Sequence, residues 1–151
     1  MSASSPSPAG RAKSSRYIVV SKQRLTLTVI EGRDTLLHVP VACGKDYGNK
    51  KTKDDCCTPE GTFRIYCIEN ATRWPHDPHD GTGTHYGDYG EWFFRLNVPE
   101  FRSIGIHGTC YPESIGTRSS EGCVRMYNED NYKLKALAFA GMKVIIEPDK
   151  K

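Results

Sequence analysis

Short apolar segments, each separated from the next by a polar stretch rich in glycine and proline, constrain the fold of this chain most. Residues 25–30 alternate between apolar and polar with the period of two that is typical of a half-buried strand, and residues 31–34 supply turn chemistry. A second strand over residues 35–42 then completes a predicted hairpin. Further strands are predicted over residues 17–21, 61–69, 91–96, 103–107 and 142–147.

The segments between these strands predict three long loops and one helix. The loops cover residues 43–60, 70–90 and 108–122, and loops of this length in a compact domain are usually lids or binding loops. The helix follows Asn128, a plausible N-cap, and a glycine at Gly141 stands where a helix commonly stops. We therefore predict a mainly β fold, a sandwich or barrel-like domain with one helix near its C-terminal side.

Composition and charge exclude two classes of function. With 151 residues the chain suits one domain, and it contains no apolar run near the ~20 residues that span a bilayer. The net charge of +3 comes from Arg11, Lys13 and Arg16, because the rest of the chain has equal numbers of basic and acidic residues. Nucleic-acid binders usually carry a basic face. We expect neither a membrane span nor a nucleic-acid partner.

The two ends of the chain differ in composition from its middle. Residues 1–16 are rich in serine, proline and alanine, and we expect them to form a disordered leader. They lack the apolar core of a secretory signal peptide, so export is neither supported nor excluded by them. The domain is predicted over residues 17–147, and residues 148–151 are predicted to form a short tail.

The cysteines and histidines allow disulfides but do not favour a metal site. An even number of cysteines permits up to three disulfides in an exported protein, or at most two if Cys123 must remain a thiolate. His76 and His79 are three residues apart, but Pro78 argues against a helix that would bring them together. The cysteines lack the paired spacing of structural zinc sites. We predict no metal and no organic cofactor, and interpret His76, His79 and His85 as surface histidines of a solvated loop. The six cysteines are Cys43, Cys56, Cys57, Cys67, Cys110 and Cys123.

A histidine and a cysteine sixteen residues apart carry the candidate chemistry. His107 ends a predicted strand, and Cys123 follows a Ser-Glu-Gly turn that can expose a thiol. A thiolate is a nucleophile, and a nearby imidazole can take its proton. The backbone N–H groups of Gly122 and Cys123 are candidates for an oxyanion hole. On spacing alone, a buried cysteine and a strand-end histidine would be the simpler interpretation.

The residues around this pair resemble the L,D-transpeptidase catalytic domain family of the YkuD type. His107-Gly108-Thr109, Ile115-Gly116 and the run from Ser120 through Gly122-Cys123-Val124-Arg125-Met126 match its motif in order and spacing. The segment from Thr58 to Phe63 is similar to the family's T-P-x-G-x-F segment. The resemblance covers nearly the whole chain, from about Tyr17 to Glu147.

The resemblance implies peptidoglycan chemistry. Cys123 would attack the carbonyl between the third residue, a diamino acid, and the terminal D-alanine of a tetrapeptide stem. His107 would activate the thiol, with its imidazole oriented by the carbonyl of Gly108, and would then deprotonate the amine of a second stem, which resolves the thioester into a 3→3 cross-link. The partners would be donor and acceptor stem peptides, in the periplasm or cell wall, with roles in wall biogenesis and cell shape. Capture of Cys123 by carbapenems is expected, and we expect a monomer.

Other residues of the motif and of the loop before it are candidates for substrate binding. Arg125 would position the loop or contact a substrate carboxylate, and Ser120 would shape the turn. Tyr86, Tyr89 and Trp92 lie in and after the segment that resembles the family's lid, where ordinary packing is an equal alternative.

Two segments depart from the family pattern. Glu121 stands beside the nucleophile where many members have histidine, and a carboxylate there would raise the pKa of the thiol unless it pairs with Arg118 or Arg125, or contacts the amine of the substrate. The residue 43–57 loop, with three cysteines, leaves the shape of the groove rim open.

Four other functions compete with transpeptidation. An L,D-carboxypeptidase would use the same residues with water as the acceptor and would leave a tripeptide. The same thioester could attach a protein to the wall or release it. An inactive wall-binding module would need neither His107 nor Cys123, and both are present. A thiol protease is less favoured, because no protease signature surrounds the cysteine.

Overall fold

The computed structural model describes residues 15–149 and contains twelve strands and one α-helix in that range. A single 3₁₀ turn in that range covers Pro112–Ser114. The helix α1 is Asn128–Leu137. The strands are β1 (Arg16–Ser21), β2 (Thr26–Glu31), β3 (Asp34–Pro40), β4 (Cys43–Gly44), β5 (Gly61–Asn70), β6 (Pro75–His76), β7 (His85–Tyr86), β8 (Trp92–Leu96), β9 (Gly105–His107), β10 (Arg118–Ser120), β11 (Val124–Arg125) and β12 (Lys143–Glu147).

Eight of these strands form one curled sheet in the order β11-β9-β8-β5-β12-β1-β2-β3. Most neighbours are antiparallel, but β1 runs parallel to β12 and β11 runs parallel to β9. Two small two-stranded sheets, β10-β4 and β6-β7, lie outside it. The mainly β fold with a single helix is thus confirmed.

Strict alternation along the strands builds the core. In β2, Leu27 and Val29 are fully buried, whereas the threonines between and before them are only partly covered. Val144 and Ile146 of β12 repeat the pattern. Because each such side chain contributes about 1.5–3 kcal/mol on burial, these rows fix which face of the sheet turns inward.

The helix does not begin as the sequence predicts. Tyr127, not Asn128, occupies the N-cap and makes no side-chain cap, so the predicted cap at Asn128 is wrong. Asn128 is instead the first helical residue, and its Oδ1 accepts a hydrogen bond from the backbone N–H of Thr109 at 2.9 Å. The amide of Asn131 bonds both N–H and carbonyl of Trp92 at 3.0 Å. The helix therefore holds the loops that border the site.

A buried lysine ties the loop over residues 43–60 to the sheet. The Lys22 ammonium, which has no exposed side-chain area, contacts Glu60 at 2.8 Å and Asp149 at 3.3 Å. It also donates to the carbonyls of Gly48 and Thr58 at 2.9 and 2.8 Å. Lys22 is thus paired and fully hydrogen-bonded, the condition under which a buried charge is tolerated.

The remaining expectations on boundaries hold with small shifts. The predicted loops contain the two- and three-residue strands β4, β6, β7 and β10, which are too short to show a pattern in the sequence. Arg16, assigned to the leader, belongs to β1 and pairs with Glu31 at 2.8 Å. Residues 1–14 of the predicted leader and 150–151 of the predicted tail lie outside the described residues. Within residues 15–149, no helix is long and apolar enough to cross a membrane.

Candidate active site

The parallel pairing of β9 with β11 brings the candidate residues together. Val124 lies opposite Ile106, and Arg125 lies opposite His107. Since side chains alternate across a strand, the fully buried Ile106 and Val124 enter the core. The side chains that flank them face the other way. His107, Arg125 and Cys123 accordingly line one cavity of about 660 Å³.

The imidazole of His107 is held on three sides. Its Nδ1 lies 2.5 Å from the carbonyl oxygen of Gly108. The ring of Phe93 stacks on it at 5.5 Å with an interplanar angle of 9°, and the edge of Tyr89 meets it at 5.0 Å. Because a carbonyl only accepts, Nδ1 carries the proton and Nε2 is left as the basic nitrogen.

Burial also sets the charge of this imidazole. His107 is 3% exposed, and desolvation lowers its pKa to about 4 despite the bond to Gly108. The positive charge of Arg125 acts in the same direction as burial. His107 is therefore neutral at neutral pH and can accept a proton at Nε2.

Two glycines make this arrangement possible. A Cβ on Gly105 would lie 2.4 Å from the Phe93 ring, so the ring can cover the imidazole only if residue 105 has no side chain. A Cβ on Gly108 would lie 2.2 Å from Oδ1 of Asn128, the atom that holds the N–H of Thr109. Both positions therefore need glycine for space.

Cys123 follows a tight turn that Ser120 organises. The Ser120 hydroxyl donates to the carbonyl of Cys123 at 2.6 Å and accepts the N–H of Gly122 at 3.1 Å. Gly122 has a φ of +140°, a conformation that favours glycine. Since the N–H of Gly122 is engaged by Ser120, only the N–H of Cys123 remains from the predicted pair of oxyanion donors.

The thiol of Cys123 is protonated in this environment. Burial raises its pKa, while a backbone hydrogen bond at Gly105 and the charges of Arg125, Arg95 and Lys50 work against that rise. The thiol donates to the carbonyl of Ser103 at 3.4 Å. The site thus holds a neutral thiol and a neutral imidazole, and reaction requires the thiol to leave the carbonyl of Ser103 and pass its proton to a base.

The three aromatic residues predicted near the lid occupy different places. Tyr89 lines the cavity beside His107. Trp92 packs against the core and beneath Lys135 of the helix, whose Nζ lies 4.6 Å from its ring centre. Tyr86 is 68% exposed and is absent from the cavity wall. Only Tyr89 is brought to the site.

The chain resembles known proteins in both sequence and fold. A family model for the L,D-transpeptidase catalytic domain matches residues 15–146, which is most of the chain. The chain belongs to the L,D-transpeptidase catalytic domain family. Two relatives named YkuD, whose own description as L,D-transpeptidases is provisional, come from Bacillus subtilis and Bacillus licheniformis; they are 32% and 33% identical over 86% and 87% of this chain. The chain spans 65% of the length of each.

Solved structures of L,D-transpeptidases share the fold. The L,D-transpeptidase from Mycobacterium smegmatis superposes with a TM-score of 0.67 at 18% identity, covering 88% of this chain and 58% of that one. L,D-transpeptidase 3 from Mycobacterium tuberculosis, in complex with a faropenem-derived adduct, gives 0.67 at 16% identity over 88% of this chain and 60% of that one.

In this L,D-transpeptidase domain, Glu121 does not form the ion pair with Arg118 or Arg125 that the sequence predicts. Arg118, one predicted partner, forms its ion pair with Asp149 and lies 3.7 Å above the Tyr47 ring. Glu121 is exposed at the cavity rim, and among residues 15–149 no ion pair includes it. The predicted pairing with Arg118 or Arg125 is therefore wrong, and contact with a substrate amine stays a prediction.

Sequence reasoning missed a group of residues around Asp88, which lines this L,D-transpeptidase cavity. His76, interpreted as a surface histidine, lines the cavity and contacts the buried carboxylate of Asp88 at 2.7 Å. His85 and Cys110 contact the same carboxylate at 3.4 and 3.1 Å. The pairing of β6 with β7 sets His76 opposite His85, and no pattern in the sequence indicates that pairing. His79, by contrast, is exposed as expected.

A basic residue of the loop over residues 43–57 was also missed. Lys50 is 7% exposed and bonds the carbonyl and carboxylate of Asp55 at 2.8 and 3.0 Å. It lies beside Gly122 and helps to lower the pKa of Cys123. All six cysteines are unbridged, and in the described range no group of His, Cys, Asp or Glu could hold a metal ion.

Proposed function

We propose that this L,D-transpeptidase domain uses Cys123 to cleave the bond between the diamino acid and D-alanine of a tetrapeptide stem and to form 3→3 peptidoglycan cross-links. The observation that carries the proposal is the register of β9 and β11, which puts Cys123 and His107 on one wall of one cavity. A cavity of about 660 Å³ has the size of sites that enclose small ligands.

Acylation begins from a neutral pair. As the sulfur of Cys123 attacks the stem carbonyl, its proton passes to Nε2 of His107, whose Nδ1–H stays on the carbonyl of Gly108. The N–H of Cys123 is the donor assigned to the oxyanion. The tetrahedral intermediate collapses to a thioester, and the proton on Nε2 moves to the departing amine of D-alanine.

The low pKa of His107 suits the second of these transfers. An imidazolium with a pKa of about 4 is a strong acid, so it gives its proton readily to a leaving amine. The same burial makes the charged pair of thiolate and imidazolium costly in the free enzyme. The proton is therefore transferred as the carbon–sulfur bond forms, not before substrate binds.

Three residues contribute without taking part in bond making. Arg125 lines the cavity opposite His107 in the strand register and supports a carboxylate of the stem. Tyr89 forms the apolar wall beside the imidazole. Ser120 holds the turn, because both its donor and its acceptor capacity are used within residues 120–123.

An L,D-carboxypeptidase remains the alternative, since the same thioester can be resolved by water. The domain would act where peptidoglycan lies, in the periplasm or cell wall, as a monomer. Because a relative of the same fold carries a faropenem-derived adduct, we expect covalent capture of Cys123 by carbapenems as well.

Mass spectrometry of the products tests the proposal. Purified disaccharide-tetrapeptide is incubated with the protein and, in parallel, with the Cys123→Ala variant. Cross-linked dimers that are absent from the variant support transpeptidation, whereas tripeptide alone moves the assignment to carboxypeptidase. No product and no acyl-enzyme would favour an inactive wall-binding module.

A further inference from the structure

A histidine–carboxylate pair lies in the same cavity as Cys123. Nδ1 of His76 is 2.7 Å from Oδ2 of Asp88, and both residues line the cavity. Asp88 has 6% of its side-chain area exposed and His76 has 22%. The His76 ring meets Tyr89 at 5.4 Å, and Tyr89 meets His107 at 5.0 Å, so both imidazoles contact the same aromatic ring.

His76 differs from the other histidine on Asp88. His85 contacts Asp88 through Nδ1 at 3.4 Å and Thr82 through Nε2 at 2.7 Å, so both its nitrogens are engaged. It is not part of the cavity wall. His76 is bonded to Asp88 through Nδ1, which leaves Nε2 as the nitrogen that can exchange a proton.

The charge of Asp88 fixes the tautomer of His76. Burial opposes ionisation of Asp88, but hydrogen bonds from His76 and Cys110 outweigh it and lower the pKa of the carboxyl. An ionised carboxylate only accepts hydrogen bonds, so Nδ1 of His76 carries the proton. Nε2 of a neutral His76 is then a base whose orientation is held by a carboxylate, as in hydrolytic triads.

The second half of the reaction needs such a base. An amine of an acceptor stem is an ammonium ion at neutral pH and cannot attack a thioester until it loses a proton. His107 is placed for the proton of Cys123 and for the leaving group. We propose, on the basis of the function given above, that His76 and Asp88 form the acceptor subsite, in which His76 deprotonates the incoming ammonium and Asp88 positions His76.

The protons balance in this scheme. The ammonium gives one proton to Nε2 of His76, and the resulting amine attacks the thioester carbonyl. The new carbon–nitrogen bond forms and the carbon–sulfur bond breaks. The amine nitrogen loses a second proton, which passes through His107 to the sulfur of Cys123. His76 releases the first proton to solvent, and one amide and one free thiol result.

The His76→Gln variant tests this subsite with two acceptors. With disaccharide-tetrapeptide, we expect acyl-enzyme to form at the wild-type rate by intact mass, while the ratio of dimer to tripeptide falls by about 100-fold, the usual effect of losing a general base. With hydroxylamine, which is uncharged at neutral pH, hydroxamate should form at the wild-type rate. A merely structural role would lower acylation and hydroxamate formation together.

Two further variants complete the design. Asp88→Asn should reproduce the fall in the dimer ratio and spare hydroxamate formation, and His76→Gln keeps the test open if the buried Asp88 variant does not fold. His85→Gln is the matched control on the same carboxylate and should keep the wild-type ratio. An unchanged ratio in His76→Gln overturns the acceptor subsite alone. Failure of the wild type to acylate overturns the proposed function, and the subsite with it.

Discussion

At the scale of single residues, the charge state of Cys123 sets the reactivity of its thiol. Its thiol is protonated at neutral pH because burial raises the pKa, and Arg125 limits that rise. Since the thiolate is the reactive form, alkylation of Cys123 should increase with pH, with a midpoint above that of an ordinary thiol at about 8.5.

Arg125→Gln should move this midpoint further up, because it removes a positive charge that favours the thiolate. The rate of iodoacetamide labelling is followed against pH by peptide mass spectrometry, which separates Cys123 from the other five cysteines. Arg24→Gln, an exposed arginine with no part in the pKa of Cys123, is the control. An unchanged midpoint in Arg125→Gln would mean that this charge does not reach the thiol.

Gly105 tests the packing beneath His107. Gly105→Ala puts a Cβ within 2.4 Å of the Phe93 ring, so the ring must move away from the imidazole. Overpacking of this kind costs about 1–3 kcal/mol, and acylation should slow because His107 loses its stacked neighbour. Urea unfolding and intact-mass acylation measure the two effects. Gly105→Ala combined with Phe93→Leu should recover part of the stability but not the rate.

At the scale of elements, the turn from Ser120 to Cys123 connects β10 to β11 and carries the proposed nucleophile. Ser120→Ala would leave the N–H of Gly122 and the carbonyl of Cys123 without their partner. Losing a buried hydrogen-bond partner costs about 1–3 kcal/mol, and a looser turn should also reduce acylation. Thermal unfolding and acylation of Ser120→Ala are compared with Ser119→Ala. Equal behaviour of the two variants would contradict the role given to Ser120.

The longer elements of the fold are the part that local sequence patterns predict well. The six longest strands and the helix follow from alternation and periodicity, and the pattern is clearest in β1, β2 and β12, where alternate apolar side chains are buried. The pairing of His107 with Cys123 was predicted through the family motif, not from spacing. Both residues flank strands of two or three residues, whose parallel register no local pattern encodes.

The residues that were missed depend on pairing between distant segments. Phe93 covers His107 only because β8 pairs with β9, which sets Phe94 opposite Ile106 and turns Phe93 toward the imidazole. His76 reaches Asp88 only through the two-residue pairing of β6 with β7. Asn128 was misjudged because its side chain has a partner outside the helix, at Thr109.

At the scale of the whole molecule, the Lys22 network consists of Lys22, Glu60, Asp149 and the carbonyls of Gly48 and Thr58. It joins both ends of the described chain to the loop over residues 43–60, which lies beside the turn that carries Cys123. Lys22→Met would leave Glu60 and Asp149 without their buried cation. Breaking a buried pair in this way costs about 3–5 kcal/mol. Urea unfolding measures the loss, and hydrogen exchange should show faster exchange in residues 43–60. Lys143→Met, at an exposed position of β12, is the control.

The same network sets the response to acid. Burial raises the pKa of Asp149, but hydrogen bonds from Arg118 and Gly48 and the charge of Lys22 outweigh it, so the folded pKa lies below the unfolded value of about 3.9. Stability from this carboxylate is present above that value and is lost as pH falls through the folded pKa. Asp149→Asn should be less stable at pH 7 and should lose less on acidification. If the free energy of unfolding depended on pH equally in both proteins, Asp149 would have no part in the response to acid.

Intact-protein mass spectrometry shows whether Cys123 forms a thioester with the stem peptide. Incubation with disaccharide-tetrapeptide should add the mass of the stem without its terminal D-alanine, and peptide mapping should place the addition on Cys123. His107→Gln should form the adduct much more slowly, and Cys123→Ala should not form it. An adduct on another residue, or none on a folded wild-type protein, would contradict the account.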